Sequence, residues 1–325
     1  MRIRSLRLPL ALAALCCIGS SAFSWAQTYP AKPVRFIIPY GVGGAADIVA
    51  RLLGPRLSER LGQQVIVDNR PGAGAIIGTD ITAKAPPDGY TMLLLNIAFG
   101  ANPSLHKKLP YDAQRDFSPV TLMTLLPTGL FVHPSLPVRT PQEFVKLAKS
   151  RPGAVTFATA GIGSANHLAM GLFQVTTGID LIHVPYKGGG AVAAEVMAGQ
   201  VVSMFITLPP VMAHVKAGRL RALGIGSERR SEALPDVPTI AEQGFKGFKS
   251  YEWQGVAVPA GTPQEIVLRL HKEFSAALSL PEVRERIAAL GGEVVAGGPD
   301  RLKAHIAAEL ATWGKVIPQL NIRPN

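Results

Sequence analysis

Short apolar runs, each followed by a longer stretch with helical spacing, constrain the fold of this chain more than any other feature. Residues 34–40, 65–67, 91–95, 155–158, 182–184, 201–206 and 222–225 are near-continuously apolar. Runs of that kind are expected where a strand is covered on both faces, as in a parallel sheet. Helix signals fall between them. Thr140-Pro141-Gln142-Glu143 places Thr at an N-cap, Pro at the first helical position and Glu where a capping box closes. Thr262-Pro263-Gln264-Glu265 repeats the device. Gly199 and Gly218 stand where left-handed C-terminal caps are wanted, after 195–198 and 211–217. This alternation predicts an α/β protein with parallel sheets.

The N-terminus predicts export. Arg2, Arg4 and Arg7 precede the apolar residues 8–18, and Ser24-Trp25-Ala26 sets small residues at −3 and −1 of a cleavage site before Gln27. The apolar stretch is shorter than the ~20 residues that span a bilayer. Residues 1–26 therefore read as a cleaved signal peptide and the mature chain as a soluble periplasmic protein. Cys16 and Cys17 are the only cysteines, and both fall within that signal. Disulfides, thiol catalysis and Cys-ligated metals are thereby excluded from the mature form.

From Gln27 onward there is enough chain for two lobes at ~100–200 residues each. No low-complexity linker divides them, so the chain is expected to cross between lobes more than once, near Leu126-Pro127 and near Ser250-Tyr251. One lobe then comprises 27–126 plus 251–325, and the other 127–250. Ligands of open α/β sheets bind outside the carboxyl ends of strands, which puts a cleft between the lobes that hinge motion can close.

The formal net charge is +11, yet Lys and Arg are scattered, with Arg229-Arg230 the densest pair. No basic patch interleaved with aromatics appears, which argues against nucleic acid and leaves a mild field favouring anionic ligands. The seven histidines show no His-x-His or His-Glu-x-x-His spacing, so neither a metal nor a cofactor is expected.

Three glycine-rich turns follow expected strands. In the first, Tyr40, Gly41, Val42, Gly43 and Gly44 lead into a helix whose first turn holds Asp47. Bare glycines let N–H groups approach an anion at a helix N-terminus. Asp47 is either a residue favoured by the helix dipole or a partner for a ligand ammonium. Ala46 breaks the dinucleotide pattern. The second turn brings Ala160, Gly161, Gly163 and Ser164 ahead of His167. Ser164 is a natural N-cap, and Ile162 and Asn166 stand where a hydrolase nucleophile elbow needs glycine. The third, His183-Val184-Pro185-Tyr186-Lys187-Gly188-Gly189-Gly190, offers the Tyr186 phenol. No close acid pair or Cys/His nucleophile emerges, so the chain reads as a non-enzyme.

Together these segments resemble the receptors of tripartite tricarboxylate transporters, the Bug family of periplasmic solute-binding proteins. The resemblance is carried by Tyr29-Pro30-Ala31-Lys32-Pro33-Val34, the first glycine turn through Arg51, Asn69-Arg70-Pro71-Gly72-Ala73-Gly74 and Asp88-Gly89-Tyr90-Thr91. It continues through Gly161-Ile162-Gly163-Ser164, His183-Val184-Pro185-Tyr186, Ala217-Gly218-Arg219-Leu220-Arg221, Leu234-Pro235-Asp236-Val237-Pro238-Thr239 and Pro259-Ala260-Gly261-Thr262-Pro263. It implies a two-lobed type II periplasmic-binding fold and a di- or tricarboxylate, aromatic acid or amino acid as ligand. It also implies a monomer serving the integral membrane subunits of a secondary transporter. In such receptors the first two glycine turns grip a carboxylate, largely through backbone N–H groups and bridging waters. Those turns correspond here to Tyr40 to Gly44 and Ala160 to Ser164, with His167 and Tyr186 beside them. Ala75, Ala191 and Val202 depart from the family's usual Gly, Pro and Asp. Two other readings stay open: a receptor feeding a sensory partner, and a secreted Ser/His hydrolase.

Overall fold

The computed structural model describes residues 29–186 and 189–320. The expected signal peptide and its cleavage site lie outside the described residues. The first apolar runs pair as a parallel ladder. Strand β1 (Val34–Ile38) leads through helix α1 (Ala45–Leu61) to β2 (Val65–Asn69), and α2 (Ile76–Ala83) leads on to β3 (Thr91–Leu95) and α3 (Ile97–Leu105). β1 lies between β2 and β3, parallel to both.

Next comes β4 (Phe117–Val132), then α4 (Pro141–Ser150), β5 (Thr156–Thr159), α5 (Ala165–Thr177), β6 (Ile182–Pro185), α6 (Gly189–Met197), β7 (Ser203–Thr207), α7 (Pro209–Lys216) and β8 (Arg221–Ile225). β5 runs parallel to β6 and β7. The chain returns through β9 (Tyr251–Pro259), α8 (Gln264–Leu278), α9 (Pro281–Ala289), β10 (Glu293–Gly297) and α10 (Pro299–Val316).

Apolar side chains alternate between two cores on each half of the sheet, which is why the runs are near-continuous. In β1, Phe36 and Ile38 face α1 and α8 with Leu53, Leu57 and Phe274, while Ile37 faces Phe99 and Trp253 on the other side. In the second half Phe157 and Phe205 pack with Phe144 and Phe173, and Ala158 and Met204 pack with Val192 and Val211.

Strands β4, β9 and β10 were not among the expected runs. Pro119 and Pro127 make β4 look broken, because proline cannot donate to a ladder. Pro119 lies at a register irregularity between Pro119 and Thr121, and Pro127 falls where the strand changes partners. β4 also joins the two halves. Up to Pro127 it pairs antiparallel with β9, and from Thr128 it pairs with β7 and β8. The strand order is therefore β2-β1-β3-β9-β4-β7-β5-β6, with β8 and β10 also on β4. At the changeover the Thr128 N–H donates to Ser250 O at 3.3 Å, the Gly226 N–H to Thr128 O at 2.6 Å and the Ser250 N–H to Gly226 O at 2.8 Å.

The two expected capping boxes diverge. Thr140 accepts the Glu143 N–H at 3.1 Å, but the Glu143 carboxylate reaches back to the Arg139 N–H, one residue beyond the box position. Thr262 caps nothing. Its hydroxyl donates to Pro259 O at 2.7 Å in the preceding turn, and the extended Pro263 becomes the cap of α8.

Candidate functional site

A cavity of about 800 Å³ opens where the two halves of the sheet meet. Its walls are built from helix beginnings. Gly44 and Ala45 of α1, Gly74 and Ala75 ahead of α2, Asn96 to Ala98 of α3, Ser164 to Asn166 of α5, Gly190 of α6 and Pro209 and Pro210 of α7 all line it. A helix N-terminus carries roughly half a positive charge and unpaired N–H groups. Several aimed at one space make it favourable for an anion. Among the described residues, no Lys, Arg or His side chain lines this cavity. Thr128 of β4 and Glu252 of β9 complete the wall.

The first glycine turn is held from behind. Gly43 adopts φ +86°, a conformation that L side chains rarely take, and so aims its N–H at Asp47 Oδ2, 2.9 Å away. Asp47 is buried at 2% exposure. Its carboxylate also accepts from Arg51 Nε at 2.9 Å and from Asn69 Nδ2 at 2.9 Å. Asn69 binds Tyr40 O as well, at 3.1 Å. Burial opposes ionisation of Asp47, but the bonds from Arg51, Gly43 and Asn69 outweigh it and hold the carboxyl below the usual carboxylate range. The Tyr40 hydroxyl donates to Asn96 Oδ1, and burial first, with the nearby Glu252 charge second, holds that phenol protonated. Asn96 in turn caps α3 by accepting the Ala98 N–H at 2.9 Å.

The second turn has the same construction in other residues. Gly163, with φ +74°, donates its N–H to His167 Nδ1, four residues on, at 3.1 Å. Ser164 caps α5 as expected: its oxygen accepts the His167 N–H at 3.4 Å while its hydroxyl donates to Gly161 O at 2.7 Å. The Gly161 N–H is taken by Thr159 Oγ1 at 3.1 Å, and that oxygen pairs with His183 Nε2 at 2.6 Å. The rings of His167 and His183 stack at 4.2 Å. Burial, then the neighbouring His183, pushes the His167 imidazole down to about 3, so it is neutral at physiological pH.

These bonds place several of the expected site residues behind the turns and not on the cavity wall. Asp47 and His167 do not line the cavity; both point into the protein and fix a turn. Gly43, Gly161 and Gly163 matter for their positive φ, and their N–H groups are already spent inside the turns. The donors left to face the cavity belong to the first turns of α1 and α5, since Pro209 and Pro210 of α7 carry no N–H and Asn96 takes the Ala98 N–H of α3. α1 has no side-chain cap, and Ser164 covers only the His167 N–H of α5. Val42 is 74% exposed at the tip of its turn, outside the lining, as is Gly161. Tyr186 also lies off the cavity, its hydroxyl donating to Glu195 Oε2 at 3.4 Å. Tyr40, Gly41, Gly43, Gly44, Ala160, Gly163 and Ser164 are brought together on the wall.

Sequence reading missed Asn96, the Pro209-Pro210 helix start, Thr128 and Glu252. Asn after the apolar run 91–95 and Pro-Pro after 201–206 are helix-start signals of the kind used elsewhere in the chain. The Ser164 hydroxyl oxygen meets the His167 main-chain N–H, and the His167 imidazole takes the Gly163 N–H instead of the hydroxyl. That geometry activates no nucleophile.

The family described as tripartite tricarboxylate transporter family receptor matches residues 49–322. Protein BugT of Bordetella pertussis is 39% identical over 303 residues, covering 92% of each chain. The solved structure of periplasmic binding protein BugD superposes with TM-score 0.79 at 32% identity, over 91% of this chain and 100% of that one. The structure of Rpa4515 from R. palustris with adipate gives TM-score 0.81 at 34% identity, over 91% and 100%.

Proposed function

Since the chain belongs to the tripartite tricarboxylate transporter receptor family and is a solute-binding receptor with the two-lobed α/β periplasmic-binding fold, we propose that it captures a small carboxylate in the cavity and delivers it to integral membrane subunits of a secondary transporter. The convergence of helix N-termini on a space without a described basic side chain carries this reading. A carboxylate there is held by main-chain N–H groups of α1 and α5, with the Ser164 turn and Tyr40 shaping the wall. Adipate in the R. palustris relative supports the ligand class.

The lobes in this reading are residues 27–126 with 251–325, and 127–250, hinged where β4 changes partners. The protein acts as a monomer in the periplasm, after cleavage behind Ala26. Osmotic-shock fluid should yield a chain beginning at Gln27 by N-terminal sequencing; an intact Met1 terminus in the cytoplasm overturns the export.

A thermal-shift screen of mono-, di- and tricarboxylates finds the ligand, because a binder raises apparent stability by RT ln(1 + [L]/Kd). Calorimetry then compares the best acid with its methyl ester. Each charge-assisted hydrogen bond is worth about 1.5–3 kcal/mol, so the ester should lose most of the affinity. Gly163→Val should weaken binding more than about tenfold, or 1.4 kcal/mol. Its φ is +74° and an added Cβ would meet Leu105 Cδ1 at 3.1 Å. Equal binding of acid and ester sinks the site.

A further inference from the structure

The cavity holds one feature that carboxylate capture does not use. Among the described residues, Glu252 is the one charged side chain that lines it. Glu252 sits early in β9, opposite Leu126 of β4, close to the point where the sheet halves join. Its surroundings leave it uncompensated. Glu252 is half-buried, and that burial raises its carboxyl to about 7, with no hydrogen bond or opposite charge from the described residues acting the other way. The two fully buried acids among the described residues are matched. Asp47 has Arg51, and Glu273, only 5% exposed, has Arg60 at 2.8 Å and Arg269 at 3.0 Å. An ionised carboxylate taken even partly out of water is disfavoured unless a partner compensates it. The remaining titratable side chain on the wall is Tyr40, which stays protonated and supplies no positive charge.

We propose that Glu252 is a specificity-determining residue that selects a ligand bearing a cationic nitrogen, an amine or quaternary ammonium, in addition to its carboxylate. The ligand carboxylate lies against the helix N-termini and its cation supplies the counter-charge that Glu252 lacks. A dicarboxylate instead sets its second anion beside the acid. This selection rests on the carboxylate-receptor reading and narrows its ligand class to zwitterions.

The test uses the whole mature protein and matched probes: adipate against ε-aminocaproate, and succinate against γ-aminobutyrate. Calorimetry should show each amino acid binding at least about tenfold tighter than its dicarboxylate partner. Glu252→Gln should erase that preference while keeping or raising the melting temperature, because an unpaired acid has been removed. Lowering the pH from about 8 to about 6 should weaken the aminocarboxylates, since protonation of Glu252 removes the charge they pair with. The Glu252→Gln protein should lose that pH dependence. Lys187 lies outside the described residues, so Lys187→Met is tested alongside and should leave the preference intact. Its disappearance in Lys187→Met would assign the acid to that lysine and overturn the selection. Dicarboxylates binding more tightly, with affinity rising as pH falls, would make Glu252 a proton donor to a second carboxylate and overturn it while leaving carboxylate capture standing. Failure of every carboxylate in the wider screen would overturn both.

Discussion

At the scale of single residues, Asp47 and His167 perform one task with different chemistry. Each accepts the N–H of a left-handed glycine four residues earlier, and each is buried behind the turn it fixes. Their proton linkage follows from that. The His167 pKa is about 3 in the folded protein against an ordinary 6.5. Its contribution to stability is therefore complete above about pH 6.5 and lost as pH falls toward 3, where the unfolded chain binds the extra proton. His167→Gln keeps an acceptor for Gly163 but cannot titrate. Urea midpoints measured across that range should fall less steeply for the variant than for the parent, and equal slopes would count against a neutral buried imidazole. The glycine turns and the Ser164 cap were legible in the sequence because positive φ and N-capping are local demands. The latches were not, because Asn69 of β2 reaches Asp47 in α1 and His183 of β6 reaches Thr159 in β5.

At the scale of elements, the strands of the parallel ladders and the short β8 were legible, and β4, β9 and β10 were not. Burial on both faces writes itself as continuous apolar runs, whereas β4 carries two prolines and β9 begins Tyr251-Glu252-Trp253-Gln254, alternating in polarity. Glu252 stayed hidden for that reason: it becomes meaningful only once β9 is placed beside β4 at the cavity. The junction itself depends on Gly226. A Cβ there would stand 3.0 Å from both Thr128 O and Ser250 O, with backbone on either side that cannot yield cheaply. Gly226→Ala should destabilise the protein by about 1–3 kcal/mol, the range for overpacking a close-packed site. Chemical denaturation measures this directly, and an unchanged midpoint would show that the junction has slack.

At the scale of the whole molecule, the proposed closure brings the α1 and α3 beginnings toward those of α5 and α7 around one ligand. Small-angle scattering should give a smaller radius of gyration with saturating carboxylate than without, whereas an identical profile would mean a rigid cleft. The place where such motion concentrates is built from main chain. Thr128, Gly226 and Ser250 are joined there by three backbone hydrogen bonds. Those bonds use groups that every residue but proline possesses, so they do not depend on which side chains face the ligand. Mutation can therefore exchange the lining, replacing an acid such as Glu252 by a neutral or basic residue, without rebuilding the joint. A lineage descended from such a receptor can explore new nutrients one wall residue at a time while its mechanics are inherited unchanged.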